Sequence, residues 1–423
     1  MGSEREFDFI IFGASGFTGQ YVVQEMLEVN REEGLNWAIA GRSMVKLEKV
    51  LSDMRNKGAS TQNDPEVQKI IADISDYQSL LLMCKRAKVI LDCVGPYRFF
   101  GEAVVKACVE AKTSYVDICG EPQFLENMQL KYSDGAKQGG IYIVGACGFD
   151  SVPSEMGVVF AEQQFDGILN SVQCYFKTKT GKSGSGLHFG TYESAVYGLS
   201  DTNNLIKIRK AFNNQPLPMV GPKAKPKGAV HYQSELQKYA IPFLGADPSV
   251  VKRSRRFLYE KDEVPPVQYI MYMCIPGFWN LFLLMFFGGL FKFLAMRSWG
   301  RKLLLNHPKF FTAGMCSHEG PTEQQLAETS FSLTMYCEGY SNRKNDECGR
   351  TDRPDKKMTV EVWGQEPGYV VTPRIMVQSA IVILKEKDKL PTDGGVYPPG
   401  AAFYRTSLID RLVKRGMKFN VIG

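Results

Sequence analysis

An uninterrupted apolar run, "FDFIIF" (7–12), gives way to "GASGFTG" and resumes as the helix-period stretch 17–29. No other feature restricts the fold as much. A strand with no polar face has to be covered on both sides. Glycine at the turn permits backbone angles that other residues avoid, and the following helix must fold back over the sheet. The rhythm then repeats. Strands are predicted at "NWAIA" (36–40), "QKIIAD" (68–73), "KVILDCV" (88–94), "SYVDI" (114–118) and "GIYIVG" (140–145), with helices over 43–56, 76–87, 101–112 and 122–138. Six strands alternating with helices over residues 1–150 predict an α/β domain built on a doubly wound parallel sheet.

In such a strand-turn-helix each glycine has a mechanical task. Gly13 makes the tight turn, Gly16 lets the backbone approach a pyrophosphate, and Gly19 lets the helix pack on the sheet. Helix-start N–H groups and the helix dipole favour the phosphates. Gly13, Ala14, Ser15, Gly16, Phe17, Thr18 and Gly19 are therefore candidate contacts of a dinucleotide in a Rossmann domain. The second strand, "NWAIAGRS", ends without the acid that would accept from ribose hydroxyls, and Arg42 and Ser43 follow at once. A guanidinium can grip a 2′-phosphate bidentately, so NADP(H) is favoured over NAD(H). Asp73, ending the third strand, meets the adenine side or caps the next helix.

With 423 residues, 44% hydrophobic and 23% charged, the chain can hold two or three domains. A net charge of +6 is too small to argue for nucleic acid. It is uneven, however: Lys207 to Arg256 contains eleven Lys and Arg against Glu235 and Asp247, a pattern that suits an anionic surface or a solvated loop. Ten cysteines without a C-x-x-C pair and only four histidines argue against a zinc site or a disulfide framework. The start, "MGSEREFDF", has neither a signal-peptide core nor transit-peptide character. Further on, a strand is expected at 171–178, a helix near 189–199, and an antiparallel pair at 329–339 and 357–365 joined by a long polar tip (341–356). A helix over 373–385 and a closing amphipathic helix follow. Residues 213–265 resist assignment.

One stretch stands apart. Val264 to Phe291 carries no charge, yet Pro276-Gly277 and Gly288-Gly289 interrupt it and bases flank both ends. Basic flanks stay on the cytosolic side, so residues 264–296 are expected to form a re-entrant or in-plane lipid-surface anchor, with Tyr269, Tyr272 and Trp279 at the interface. A homodimer interface, a buried core or a true span are the alternatives.

"GASGFTG", "AGR" (40–42), "CVGPY" (93–97), "YVDICGE" (115–121) and "GFDSVPSEMG" (148–157) together resemble the saccharopine dehydrogenase family, most closely its vertebrate oxidoreductase-like members, and are similar to bacterial trans-acting enoyl reductases. The resemblance implies a Rossmann domain (1–150), a middle mixed α/β, α+β domain (151–372) carrying the apolar segment, and a C-terminal segment (373–423) returning to the first domain. It implies nicotinamide-side contacts at Gly95, Pro96 and Tyr97, and substrate-lining residues Asp150, Pro153, Thr191 and Ser194. Hydride transfer also needs a proton source; Tyr97 is the first candidate, ahead of Tyr192 and His188. A saccharopine-type substrate would need fixed Arg or Lys clamps for its carboxylates, and none match the motifs. A lipid or other hydrophobic carbonyl or alkene is the favoured substrate, at the cytosolic face of a membrane or lipid droplet or at a mitochondrial membrane. A saccharopine-type amino-acid dehydrogenase and a non-catalytic cofactor-binding scaffold on lipid droplets are the alternatives.

Overall fold

The structure, a computed structural model, describes residues 5–59, 66–200, 202–342 and 348–423. Met1–Glu4, where the reading of the N-terminus begins, and residues 343–347 of the expected polar tip lie outside them. The chain forms two compact units: Met1–Phe149 with Gly368–Arg415, and Asp150–Pro367 with Gly416–Gly423.

The first unit follows the predicted alternation: β1 (Phe7–Phe12), α1 (Phe17–Glu33), β2 (Trp37–Gly41), α2 (Met44–Asn56), β3 (Gln68–Ile71), α3 (Tyr77–Arg86), β4 (Ala87–Asp92), α4 (Tyr97–Ala111), β5 (Ser114–Asp117), α5 (Pro122–Gly139) and β6 (Tyr142–Val144). Local chemistry sets the helix ends. The Ser43 and Asp76 side chains accept from backbone N–H groups at the starts of α2 and α3. Left-handed Gly34 and Gly140 end α1 and α5.

The second unit begins with α6 (Val152–Gln164), β7 (Ile168–Lys179), β8 (Leu187–His188), α7 (Phe189–Ser200) and α8 (Thr202–Ala211). The unassigned stretch then contains β9 (His231–Gln233), β10 (Lys238–Pro242) and α9 (Asp247–Asp262). After it come β11 (Gln268–Ile275), α10 (Phe278–Ala295), α11 (Ser298–Asn306), α12 (Pro308–Phe311), β12 (Cys316–Ser317), α13 (Glu323–Glu328), β13 (Ser330–Tyr340) and β14 (Lys356–Gln365). The expected hairpin is β13–β14, with Ser330 opposite Gln365.

The chain then returns to the first unit through α14 (Thr372–Lys385), β15 (Gly395–Tyr397), α15 (Pro399–Ala402) and α16 (Leu408–Lys414), and closes with β16 (Lys418–Val421). The first sheet runs β15-β6-β5-β4-β1-β2-β3, parallel throughout. Almost every side chain of α14 is buried, as its position against β4 and β5 requires. Arg415 holds Glu25 (2.8 Å) and Glu28 (3.0 Å) of α1, and Arg411 holds Glu33. The mixed second sheet runs β16-β14-β13-β7-β11-β10-β9.

Three expectations are corrected here. The returning segment is not 373–423: Gly416–Gly423 belongs to the second unit, because β16 pairs antiparallel with β14. The segment 264–296 is not one lipid-facing element: its first half is β11, paired parallel with β7 inside the second sheet. Tyr272 is buried, its ring stacked on Tyr175 and its hydroxyl accepting from Lys227 N at 2.8 Å, and the Tyr269 hydroxyl is buried as well, so neither is an interface residue. The basic run, expected to face an anionic surface or to be a solvated loop, is partly engaged inside the protein. Arg255 is 1% exposed and pairs with Glu162 at 2.5 Å, and Arg256 bonds the Gln215 carbonyl and Glu260.

Candidate functional site

The turn after β1 is closed by Gly13 N and Ala14 N donating to Ala40 O (3.0 and 3.3 Å) and by Gly16 N donating to Gly13 O (2.9 Å). Gly13 has φ +80°, and a Cβ there would stand 2.6 Å from Val94 Cγ2. A Cβ on Gly19 would run into the Gly13 carbonyl oxygen, so α1 can lie this close to the turn only without a side chain. Gly16 differs: apart from the Gly13 carbonyl oxygen at 3.1 Å, the space around its missing Cβ is open. Gly16 is also the N-cap of α1, with no side-chain cap and no acid in the first turn. Helix-start N–H groups left without a side-chain acceptor beside an open cradle fit an anion. Ala14 is buried in the turn, Ser15 and Thr18 are half-buried, and the Phe17 ring sets its edge contacts to Tyr21 (5.5 Å) and Tyr369 (4.9 Å).

At the end of β2, Arg42 is exposed, and among the described residues no ion pair is formed with it. Ser43 Oγ accepts from Lys46 N (3.4 Å), which makes it the cap of α2. Asp73 Oδ1 accepts from Ser75 N (2.9 Å) and Ser75 Oγ (2.8 Å); these bonds first, and the charge of Arg42 last, hold its carboxyl below the usual range. Asp76, not Asp73, caps α3.

Gly95 is exposed in the loop after β4, and Pro96 is the N-cap of α4. Tyr97 is buried. Its hydroxyl donates to Asp92 O (2.8 Å), its N–H donates to Glu121 Oε1 (3.0 Å), and burial pushes the phenol well above its ordinary value. In this structure the hydroxyl of the candidate proton donor is engaged with a backbone carbonyl, and the residue pins the loop. The alternatives are engaged too. Tyr192 donates to Leu304 O (3.2 Å), and His188 Nδ1 accepts from Gly190 N (3.1 Å).

What the sequence reading missed is the device beneath that loop. Asp92 and Asp117 end neighbouring parallel strands in register, both fully buried. Asp92 accepts from Val94 N (3.0 Å) and the Tyr115 hydroxyl (3.1 Å), and Asp117 Oδ1 accepts from Cys119 N (2.9 Å) and Ala146 N (2.8 Å). Two acids thereby fix the loops after β4, β5 and β6. Desolvation is the first cause that lifts Asp92 to about 8 and Asp117 to about 6, and the charge of Asp117 adds to the rise at Asp92. Arg98 Nε pairs with Glu121 at 2.5 Å, both side chains largely buried. "VILD" and "YVD", each ending a strand in Asp, were the available signal.

In the second unit Asp150 is exposed just ahead of α6. Pro153 is buried in the first turn of α6. Thr191 (exposed) and Ser194 (half-buried) lie on α7, a different helix from Asp150 and Pro153. Between them Tyr192 turns into a cluster with Val196, Leu294, Ala295, Leu304 and Cys316, the base on which α10 rests.

The parallel order β3-β2-β1-β4-β5-β6 with a glycine turn after β1 defines a protein of the doubly wound dinucleotide-binding class. Residues 9–144 match the saccharopine dehydrogenase NADP binding domain, and the cradle supports a nicotinamide dinucleotide. The chain is 46% identical to the saccharopine dehydrogenase-like oxidoreductase of Mus musculus over 99% of this chain and 98% of the relative. It is 35% identical to the lipid droplet localized protein of Caenorhabditis elegans over 98% of each. A Mycobacterium tuberculosis protein whose name proposes a trans-acting enoyl reductase is 32% identical over 60% of this chain and 55% of its own. Among solved structures, apo saccharopine dehydrogenase (L-Glu forming) from Saccharomyces cerevisiae superposes with a TM-score of 0.50 at 13% identity, covering 99% of this chain and 100% of that one, a likeness of fold. The chain belongs to the saccharopine dehydrogenase-like oxidoreductase family.

Proposed function

We propose that this protein is an NADP(H)-dependent oxidoreductase that acts on a lipid or other hydrophobic carbonyl or alkene at a lipid surface. The observation that carries the reading is α10. All nine residues from Phe282 to Leu290 are exposed, and all are apolar or glycine. A helix that is apolar all round belongs in a protein core or in lipid, and among the described residues nothing buries the stretch from Phe282 to Leu290. The worm relative's name, which places that protein on lipid droplets, agrees with this reading. Both ends of α10 are packed, through Leu281 and through Leu294 and Ala295, and α11 follows directly. That arrangement favours a helix held in one leaflet, as on the cytosolic face of a membrane or the monolayer of a droplet.

The cofactor, when bound, supplies a hydride. The chain's residues do the rest. Gly13, Gly16 and Gly19 with the start of α1 seat the diphosphate, Arg42 holds the 2′-phosphate, and the loop at Gly95 and Pro96, pinned through Tyr97, Glu121 and Asp92, orients the nicotinamide side. The engaged hydroxyls of Tyr97 and Tyr192 favour a second reading, a cofactor-binding scaffold without turnover. Purified protein loaded with NADPH and mixed with sonicated acyl aldehydes, ketones and enoyl lipids separates the two. Substrate-dependent loss of nicotinamide absorbance supports the enzyme. Bound but unreactive NADPH across all three classes supports the scaffold.

A further inference from the structure

Resting on the lipid-surface reading, we propose that α10, α11 and α12 form one docking platform selective for anionic phospholipid, with Lys292, Arg297 and Lys302 engaging head-group phosphates. The exposed apolar surface does not stop with α10. It continues through Met296, Trp299 (56% exposed), Leu303 and Phe310 (80%) to Met315. On α11, Trp299 and Leu303 share the exposed face while Gly300 and Leu304 are buried, so this short helix lies with one side out. Trp279 (74% exposed) and Trp299 are side chains suited to a lipid–water boundary.

The charge pattern selects the partner. From Val264 to His318 there is no carboxylate, and the five bases are Lys292, Arg297, Arg301, Lys302 and Lys309. Two of them have internal duties: Arg301 donates to Ala295 O at 3.0 Å, and Lys309 pairs with Glu319 at 3.2 Å. Lys292 and Lys302 are exposed and form no ion pair among the described residues. Arg297 donates one N–H to Phe293 O (2.9 Å), and its guanidinium lies 3.6 Å from the Phe293 ring centroid, so it is held beside an exposed aromatic with donors to spare. Bases set among exposed aromatic and aliphatic side chains match a surface that is apolar inside and phosphate-bearing at its rim. A second copy of this chain would meet that face with the same bases and be repelled. A span is disfavoured as well, because α10, about 27 Å long at 1.5 Å per residue, is anchored at both ends to the same unit.

The test is flotation of the full chain with vesicles of phosphatidylcholine alone and with about 30 mol% phosphatidylserine. Each cation near an anionic surface is worth about fivefold in affinity, so the three give about 100-fold tighter binding to the anionic vesicles, a preference that shrinks as salt rises. The K292Q/R297Q/K302Q variant loses the preference, and K292R/K302R keeps it. Should the triple variant misfold by circular dichroism, the salt dependence of the unaltered protein decides. Equal binding to both vesicles at low salt overturns the anionic selectivity and leaves the lipid-surface reading standing. Binding to neither overturns that reading too, as does sedimentation as a dimer without flotation.

Discussion

Replacing Asp92 by Asn should stabilise this protein, and by an amount that depends on pH. The Asp92 carboxyl is fully buried and titrates at about 8, against about 3.9 in an unfolded chain. A folded-state value above the unfolded one gives stability that is fully present below about pH 4 and is lost as the pH climbs toward 8. Each unit in that window costs about 1.4 kcal/mol, so the loss is on the order of 1–2 kcal/mol at pH 5 and on the order of 4 kcal/mol at pH 7. Asp117, held up to about 6, adds a loss of the same sign over the lower part of the window. Asn has the shape of the neutral acid. Its carbonyl keeps the Val94 N–H, and its amide can donate to the Tyr115 hydroxyl. The D92N variant should therefore match the unaltered protein near pH 4 and exceed it by about 3–4 kcal/mol at pH 7. Urea unfolding at pH 4, 5, 6 and 7, followed by circular dichroism, reads the difference. A gap between the two proteins that fails to grow over this range, or D92N less stable at pH 7, would refute the reasoning.

Gly19→Ala drives a methyl into the Gly13 carbonyl; it should lower stability by about 1–3 kcal/mol and raise the NADPH Kd at least about tenfold, by fluorescence titration. Glu121→Ala removes the carboxylate that pairs with the Arg98 guanidinium in a largely buried site and should cost about 3–5 kcal/mol in urea unfolding, with E121Q milder. Tyr97→Phe removes the bond to the Asp92 carbonyl and the longer one from Ile118 N (3.4 Å), costs about 1–2 kcal/mol, and leaves oxidation of bound NADPH within about twofold; a loss of about 100-fold or more would make Tyr97 the donor.

The first sheet was legible because strands buried on both faces spell themselves as continuous apolar runs, and "GASGFTG" marks where the first one turns. Its seventh strand, Gly395–Tyr397, is three residues long and leaves no period to detect. β16 was hidden because "KFNV" follows an amphipathic helix and reads as its tail. The apolar stretch from Val264 misled for a physical reason: an interior strand and a lipid-facing helix carry the same unbroken hydrophobicity. Pro276-Gly277, taken as a helix break, is the joint between β11 and α10. At the site, the glycines and Arg42 were visible as types in a pattern. The side-by-side burial of Asp92 and Asp117 was not, since it depends on which strands become neighbours. The Tyr97 hydroxyl was likewise unreadable, because its partner is a backbone carbonyl.

The central claim is that helix-start amides seat a diphosphate while Arg42 holds an adenosine 2′-phosphate. Parallel titrations of the full chain with NADPH and NADH, read by nicotinamide fluorescence, test it most directly. A charge-assisted bidentate grip worth about 2 kcal/mol predicts NADPH bound roughly thirtyfold more tightly, with R42A erasing the difference while NADH affinity holds. No binding of either nucleotide, or equal affinity for both in the unaltered protein, would contradict it.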